Sequence, residues 1–252
     1  MTEDRRRIDC VLVAGGKWHD IDFARLELLK LLAEDPRVRV RVFEDYEAIA
    51  AIEAADFLVS YTCDVTPSLD VQERLRAYVA GGRRWMALHG CNSVLRFLEN
   101  GKVDTPDWAP HFMETLGTAF MAHPPVGPFR VEVTAPDHPL VKGIPPFEPQ
   151  DDELYLSRQT APIETLLHVE FEGKAPAFVA EDWPQGRHPL MYLRKLGQGA
   201  VLYNALGHCR GHLDMHPKLD WFPTVQRGAW ACPEYHELLR RGLAWAKEPR
   251  LS

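Results

Sequence analysis

Two periods of hydrophobicity alternate along the first hundred residues. The run IDCVLVA at 8–14 is apolar and short and ends on Gly15 and Gly16, as a buried strand does. DFARLELLKLLAED at 22–35 places Phe23, Leu26, Leu29 and Leu32 or Ala33 at helical spacing, and Pro36 stops it. VRVRVF at 38–43 alternates as a strand, DFLVSY at 56–61 is a short buried strand, and PSLDVQERLRAYVAGG at 67–82 predicts a helix between a proline and a glycine pair. RRWMALHG at 83–90 is the fourth strand. Strand and helix in strict alternation predict a parallel α/β sheet.

Beyond residue 100 the texture changes. Prolines crowd 106–149, which reads as a loop-rich insertion. Strand signals return in FRVEVTA (129–135), TLLHVEFE (165–172), PAFVAED (176–182) and PLMYLRKLGQGAVLYNAL (189–206), the last a hairpin turning at Gly197 and Gly199. PEYHELLRRGLAWAKE closes the chain as a helix with Tyr235, Leu238, Leu239 and Leu243 on one face. Nothing repeats and no stretch is low in complexity, so the 252 residues predict a single domain, 1–252.

Composition narrows the partners. Twenty-nine basic against 36 acidic side chains give a net charge of -7, a field that repels nucleic acid and anionic membranes and favours a small polar ligand. The apolar stretch behind the charged MTEDRRR start is too short for a signal-peptide core, and no run is long enough to span a bilayer. The five cysteines are odd in number, widely spaced and free of C-x-x-C pairs, which points to a reducing cytoplasm.

Ligands of open α/β sheets gather outside the carboxyl ends of the strands. That rule selects Gly15-Gly16-Lys17-Trp18-His19-Asp20, Tyr61-Thr62-Cys63-Asp64 and His89-Gly90-Cys91-Asn92-Ser93. His89 sits at a tight turn flanked by the small residues Ala87, Gly90 and Cys91. Asn92 and Ser93 are candidate caps of a helix SVLRFLEN, whose first amides would face a bound oxyanion.

Ala87-Leu88-His89-Gly90-Cys91 resembles the nucleophile elbow of class I glutamine amidotransferases, with histidine where the cysteine would be. That replacement is typical of the ThuA-like (trehalose utilisation) family. The likeness continues through GGKWHD, LGTAFMAHP (116–124), DHPLVKGIP (137–145), DDELY (151–155) and LGQGAVLYNALGH (196–208). Ala200 stands where the family has an arginine, Ala87 replaces a glycine, and the stretch 209–237 is longer than expected. The resemblance implies a flavodoxin-like, doubly wound, mostly parallel sheet and a role in sugar metabolism. Its implied substrates are oxidised (keto) glycosides made by a partner sugar dehydrogenase, and it excludes a working glutamine amidotransferase.

His19, His89, His123, His208 and Glu153 are the group expected to converge, with Gly15, Gly16, Trp18, Asp20, Gly90, Asn92 and Tyr155 about the substrate. Imidazoles with a carboxylate, Glu153 or Asp152, suit a divalent metal such as zinc or manganese, or proton transfer near neutral pH. No nucleotide cofactor is indicated. Isomerisation, epimerisation or elimination on a keto-sugar is the favoured reaction. A non-catalytic carbohydrate-binding protein and a metal-dependent hydrolase of sugar derivatives are the alternatives, and self-association is left open. Cys91 and Cys63 read as small buried residues. Asp64, Asp151 and Lys17 read as solvated, His212 and His216 as a polar loop, and His111, His138, His168, His188 and His236 as structural. Trp18, Trp183 and Trp221 lie in loops where an indole face could meet a sugar ring, though packing explains each.

Overall fold

In the computed structural model, which describes residues 6–248, β1 forms over Ile8–Gly16 with Cys10 through Ala14 buried. The charged MTEDR start lies outside the described residues. α1 (Ile21–Ala33), β2 (Val38–Phe43), α2 (Ile49–Ala54), β3 (Phe57–Cys63), α3 (Leu69–Ala80) and β4 (Arg84–Leu88) follow in the predicted alternation. β3 and β4 are buried along their whole length, which is why they read as unbroken apolar runs instead of alternating ones.

Eight strands share one sheet in the order β2-β1-β3-β4-β12-β11-β10-β8, where β8 is Glu132–Val133, β10 is Glu164–Lys174, β11 is Asp182–Leu196 and β12 is Gly199–Asn204. The first five strands are parallel and the last three run antiparallel, so the sheet is doubly wound and flavodoxin-like with an antiparallel extension. The predicted hairpin is β11–β12, and Gly197 supplies the left-handed φ of 58° that its two-residue turn requires. α1 packs with α5 (Pro233–Lys247), while α3 packs with α2 and with α4 (Pro110–Leu116). Winding reverses between β1 and β3, and the crevice outside their carboxyl ends is the place this topology reserves for a ligand. Among the described residues, no helix is long and apolar enough to cross a membrane.

The strand tips are crowded by backbone. A methyl group on Gly15 would stand 1.9 Å from the carbonyl oxygen of Glu44, with the rest of that peptide close behind. Gly15→Ala is therefore expected to cost more than about 2 kcal/mol, because backbone cannot yield as a side chain can. A shift in the urea midpoint at unchanged slope is the measurement; an unshifted midpoint would contradict it.

Four expectations are corrected. SVLRFLEN is not a helix: a 3-10 turn at His89–Asn92 leads into an extended segment and β5 (Arg96–Phe97), which pairs with β6 (Val103–Asp104). Asp64 overrides the helical pattern by accepting from the Leu95 amide, while its own amide donates to the Ser93 carbonyl. PAFVAED is a run of turns with Phe178 pressed on Phe120 and His123, and FRVEVTA keeps only β8 as strand. On α1 the buried stripe is Ala24, Leu28, Leu31 and Leu32, and Leu26 faces solvent; its many leucines fit two helical phases, and contact with the sheet chose the other. Inside the proline-rich insertion, β7 (Thr118–Ala122) pairs with β9 (Leu156–Gln159), which carries the segment behind Glu153 under the crevice.

Candidate functional site

Three strand tips meet in strained backbone. Among the described residues, the non-glycine positions with left-handed φ are Trp18 (73°), Asp64 (58°) and His89 (46°), one after each of β1, β3 and β4. Each costs on the order of 1 kcal/mol or more and persists only where the surroundings over-determine it. Asp64 fastens the tips together: Oδ2 accepts from Trp18 Nε1 at 3.4 Å and pairs with Lys17 Nζ at 3.8 Å, so this carboxylate is not merely solvated.

His89 is fully buried at the floor of the crevice. Its Nδ1 lies 2.8 Å from the Ala205 carbonyl, which can only accept, so Nδ1 carries the proton and the Nε2 lone pair points inward. Nε2 stands 2.9 Å from His19 Nε2 and 3.6 Å from Glu153 Oε2; His19 Nε2 is 3.3 Å from the same oxygen. His208 repeats the device. Its Nε2 donates to Gln226 Oε1 at 2.8 Å, leaving Nδ1 bare at 3.4 Å from Glu153 Oε1 with no hydrogen-bond partner. His123 does so at the rim, with Nδ1 donating to the Pro124 carbonyl at 2.7 Å and Nε2 3.6 Å from Glu153 Oε1. Its side chain is 21% exposed, against 0–3% for the other three imidazoles and Glu153.

Electrostatics sorts these groups. Burial pushes His19 down to about 3 and lowers His123, so both are neutral at pH 7. Burial opposes charge on His208 too, but the Glu153 carboxylate outweighs it and raises the ring. Burial alone would raise Glu153; the positive charge on the His208 side and the Arg210 guanidinium reverse that and hold it well below the usual carboxylate range. An ionised carboxylate thus faces a ring of imidazole nitrogens in a dry site.

The donor set fits a metal ion. Donor atoms of His19, His89, Glu153 and His208 all lie within 4.8 Å of one another, and donors about 2.0–2.1 Å from one ion stand about 3–4 Å apart. Outer N–H groups anchored to oxygen acceptors are how proteins hold metal-binding histidines, as His89 and His208 are held here, and His208 Nδ1 is buried in the cluster without a hydrogen-bond partner; His19, whose Nε2 faces the cluster, has no such anchor on Nδ1.

A family model described as ThuA, trehalose utilisation, matches residues 10–220 and takes in three strand tips, Glu153 and His208. The chain belongs to the ThuA family. That membership places it in sugar utilisation. Among solved structures, a ThuA-like protein from Parabacteroides merdae is similar at 18% identity and a TM-score of 0.65, over 96% of this chain and 90% of that one. One from Bacteroides uniformis shares 16% identity and a TM-score of 0.66, over 96% and 91%. A protein from Salmonella typhimurium described as cytoplasmic shares 14% identity and a TM-score of 0.52, over 98% and 100%. At these identities they show the fold. No curated protein matches the chain.

The remaining residues singled out in the sequence have other surroundings. Gly15, Gly16 and Gly90 face the backbone of Glu44, Cys63 and Thr62, so their smallness lets the tips pack. Asp20 caps α1 through the Phe23 amide and pairs with Arg227. Tyr155 lies against the His89 ring, centroids 4.4 Å apart, and its hydroxyl accepts from Ser93 Oγ. Asn92 Nδ2 donates to Thr118 and Ser157, with Oδ1 buried and unpartnered. Asp152 is no donor to the cluster, because its oxygens accept from the amides of Glu153, Gly207, His208 and Ala229. Asp151 likewise accepts from the Arg227 and Gly228 amides. Cys91 is buried beside Ser60 and Tyr46. Trp18 and Trp183 are tied by their indole N–H, to Asp64 and the Ala180 carbonyl, and Trp183 lies in β11 and not in a loop, whereas Trp221 stacks on His212 and is 60% exposed. Arg210 and Gln226, which touch Glu153 and His208, were not legible: they lie in a loop without periodicity, and only Arg210's place two residues after His208 is a signal.

Proposed function

We propose that this chain is a single-domain enzyme that acts on an oxidised, keto-form sugar or glycoside by metal-assisted proton transfer. His19, His89, His208 and Glu153 would hold the ion. The supporting observation is the convergence of imidazole nitrogens on an ionised, buried Glu153. A divalent ion such as zinc or manganese supplies Lewis acidity toward a substrate carbonyl when bound. The chain's own groups do the rest. The carbonyls of Ala205 and Pro124 and the amide oxygen of Gln226 fix three ring tautomers, and burial keeps His19 and His123 neutral. His123, the imidazole of the set with a solvent-facing edge, is positioned to carry a proton between the buried group and the crevice.

His123 Nε2 would accept the proton next to the carbonyl and give it back to a carbon of the sugar, for isomerisation or epimerisation, or to the departing glycosidic oxygen, for elimination. The ThuA family's description supports a carbohydrate substrate, and a sugar dehydrogenase is the class of enzyme that would supply a keto form. The free cysteines and the fold shared with a Salmonella protein described as cytoplasmic support a cytoplasmic site of action. Solvent deuterium exchange into 3-keto-glycosides, with zinc or manganese supplied, is expected for the native chain and lost in His89→Ala. Exchange no faster than in the variant would rule the reading out; release of free aglycone consuming one water per turnover would favour a hydrolase.

A further inference from the structure

Arg210 has a side chain only 10% exposed and three acceptors on three separate segments. Nε donates to the Trp18 carbonyl at 3.1 Å, Nη2 to Glu153 Oε1 at 2.8 Å, and Nη1 to Gln226 Oε1 at 3.4 Å. Trp18 immediately precedes His19, and Gln226 Oε1 is also the acceptor that fixes His208. One planar group therefore touches Glu153 itself and the supports of two imidazoles.

The backbone adds a second tie. Arg210 and Gln226 exchange both amide hydrogen bonds, at 3.0 and 2.8 Å, and so form the neck of the loop 211–225. That loop reaches back to the first strand tip: Lys218 Nζ lies 4.3 Å from the centre of the Phe97 ring, which packs on Trp18. The neck and the reach of the loop thus both bear on the Trp18–His19 turn.

We propose that Arg210 is the positioning residue of this centre, holding Glu153, the Trp18–His19 turn and the Gln226–His208 pair in register through the fork of its guanidinium. The proposal rests on the metal reading above. A lysine in its place would keep the charge but lacks the fixed donor geometry for three acceptors.

Cobalt(II) titration of the purified full chain tests it, read by the visible absorption of the bound ion and by competition with a chelator. Arg210→Gln and Arg210→Lys are both expected to bind cobalt about 10–100-fold more weakly, with an altered visible spectrum. The direction is diagnostic. Removing a positive charge beside the site would by itself tighten cation binding, so weaker binding by Arg210→Gln reports lost positioning. If the Arg210 variants fail to fold, Gln226→Leu, which frees His208 Nε2 at the partly exposed neck, carries the test and is expected to change the spectrum and weaken binding about 10-fold. Native spectra and affinities in the folded variants overturn the proposal alone. Failure of the native chain to bind cobalt at one equivalent overturns the metal reading and this proposal with it.

Discussion

Glu153→Gln is expected to lower the affinity of the protein for zinc or cobalt by more than about 100-fold, beyond the usual loss for a group that only supports a ligand. Glu153 is the one carboxylate among the four converging donors, and burial leaves no water to take its place. The same substitution removes the counter-charge of Arg210, whose guanidinium stays buried against the Trp18 carbonyl and Gln226. Breaking a buried pair from one side costs about 3–5 kcal/mol, so the metal-free variant should unfold at markedly lower urea. Chelator competition and urea denaturation read the two effects separately. Stoichiometric, tightly held metal in Glu153→Gln would exclude the carboxylate from the centre.

Asp152→Ala is expected to be the most damaging single change to the scaffold. Asp152 Oδ1 accepts from the amides of Glu153 at 2.8 Å and His208 at 3.2 Å, and Oδ2 from those of Gly207 at 3.2 Å and Ala229 at 2.6 Å. One fully buried side chain thus joins the Glu153 segment, the exit of β12 and the turn before α5. Leaving a buried donor without an acceptor costs about 1–3 kcal/mol each, so four lost together should exceed about 4 kcal/mol even after relaxation. Asp152→Asn, which keeps one acceptor oxygen, should fall between. Equal stability of the alanine and asparagine variants would show that the amides find other partners.

Local pattern carried most of the frame. The apolar runs of β1, β3 and β4, the stop signals around α3, the two-residue turn of the β11–β12 hairpin and the face of α5 are short-range features, and each formed where its spacing predicts. The SVLRFLEN segment shows where such reasoning fails. Its helical spacing is genuine, yet bonds to Asp64, some thirty residues away in sequence, hold it extended. The phase of α1 fails for a related cause, since only the sheet it packs on could choose between two leucine stripes.

The sequence by itself determined a parallel α/β sheet, with its double winding implied by the ThuA likeness, the placing of His19 and His89 at strand tips, and the residue types able to ligate or move protons. Only the tertiary structure decided that His19, His89 and His208 close on one another while His123 stays at the rim, that Glu153 and not Asp152 faces them, and that Arg210 and Gln226 hold them in place. The physical reason is one of range. Secondary structure follows from the spacing of neighbours along the chain, whereas a centre assembled from residues 19, 89, 153 and 208 depends on bonds between segments that meet only after the sheet has closed.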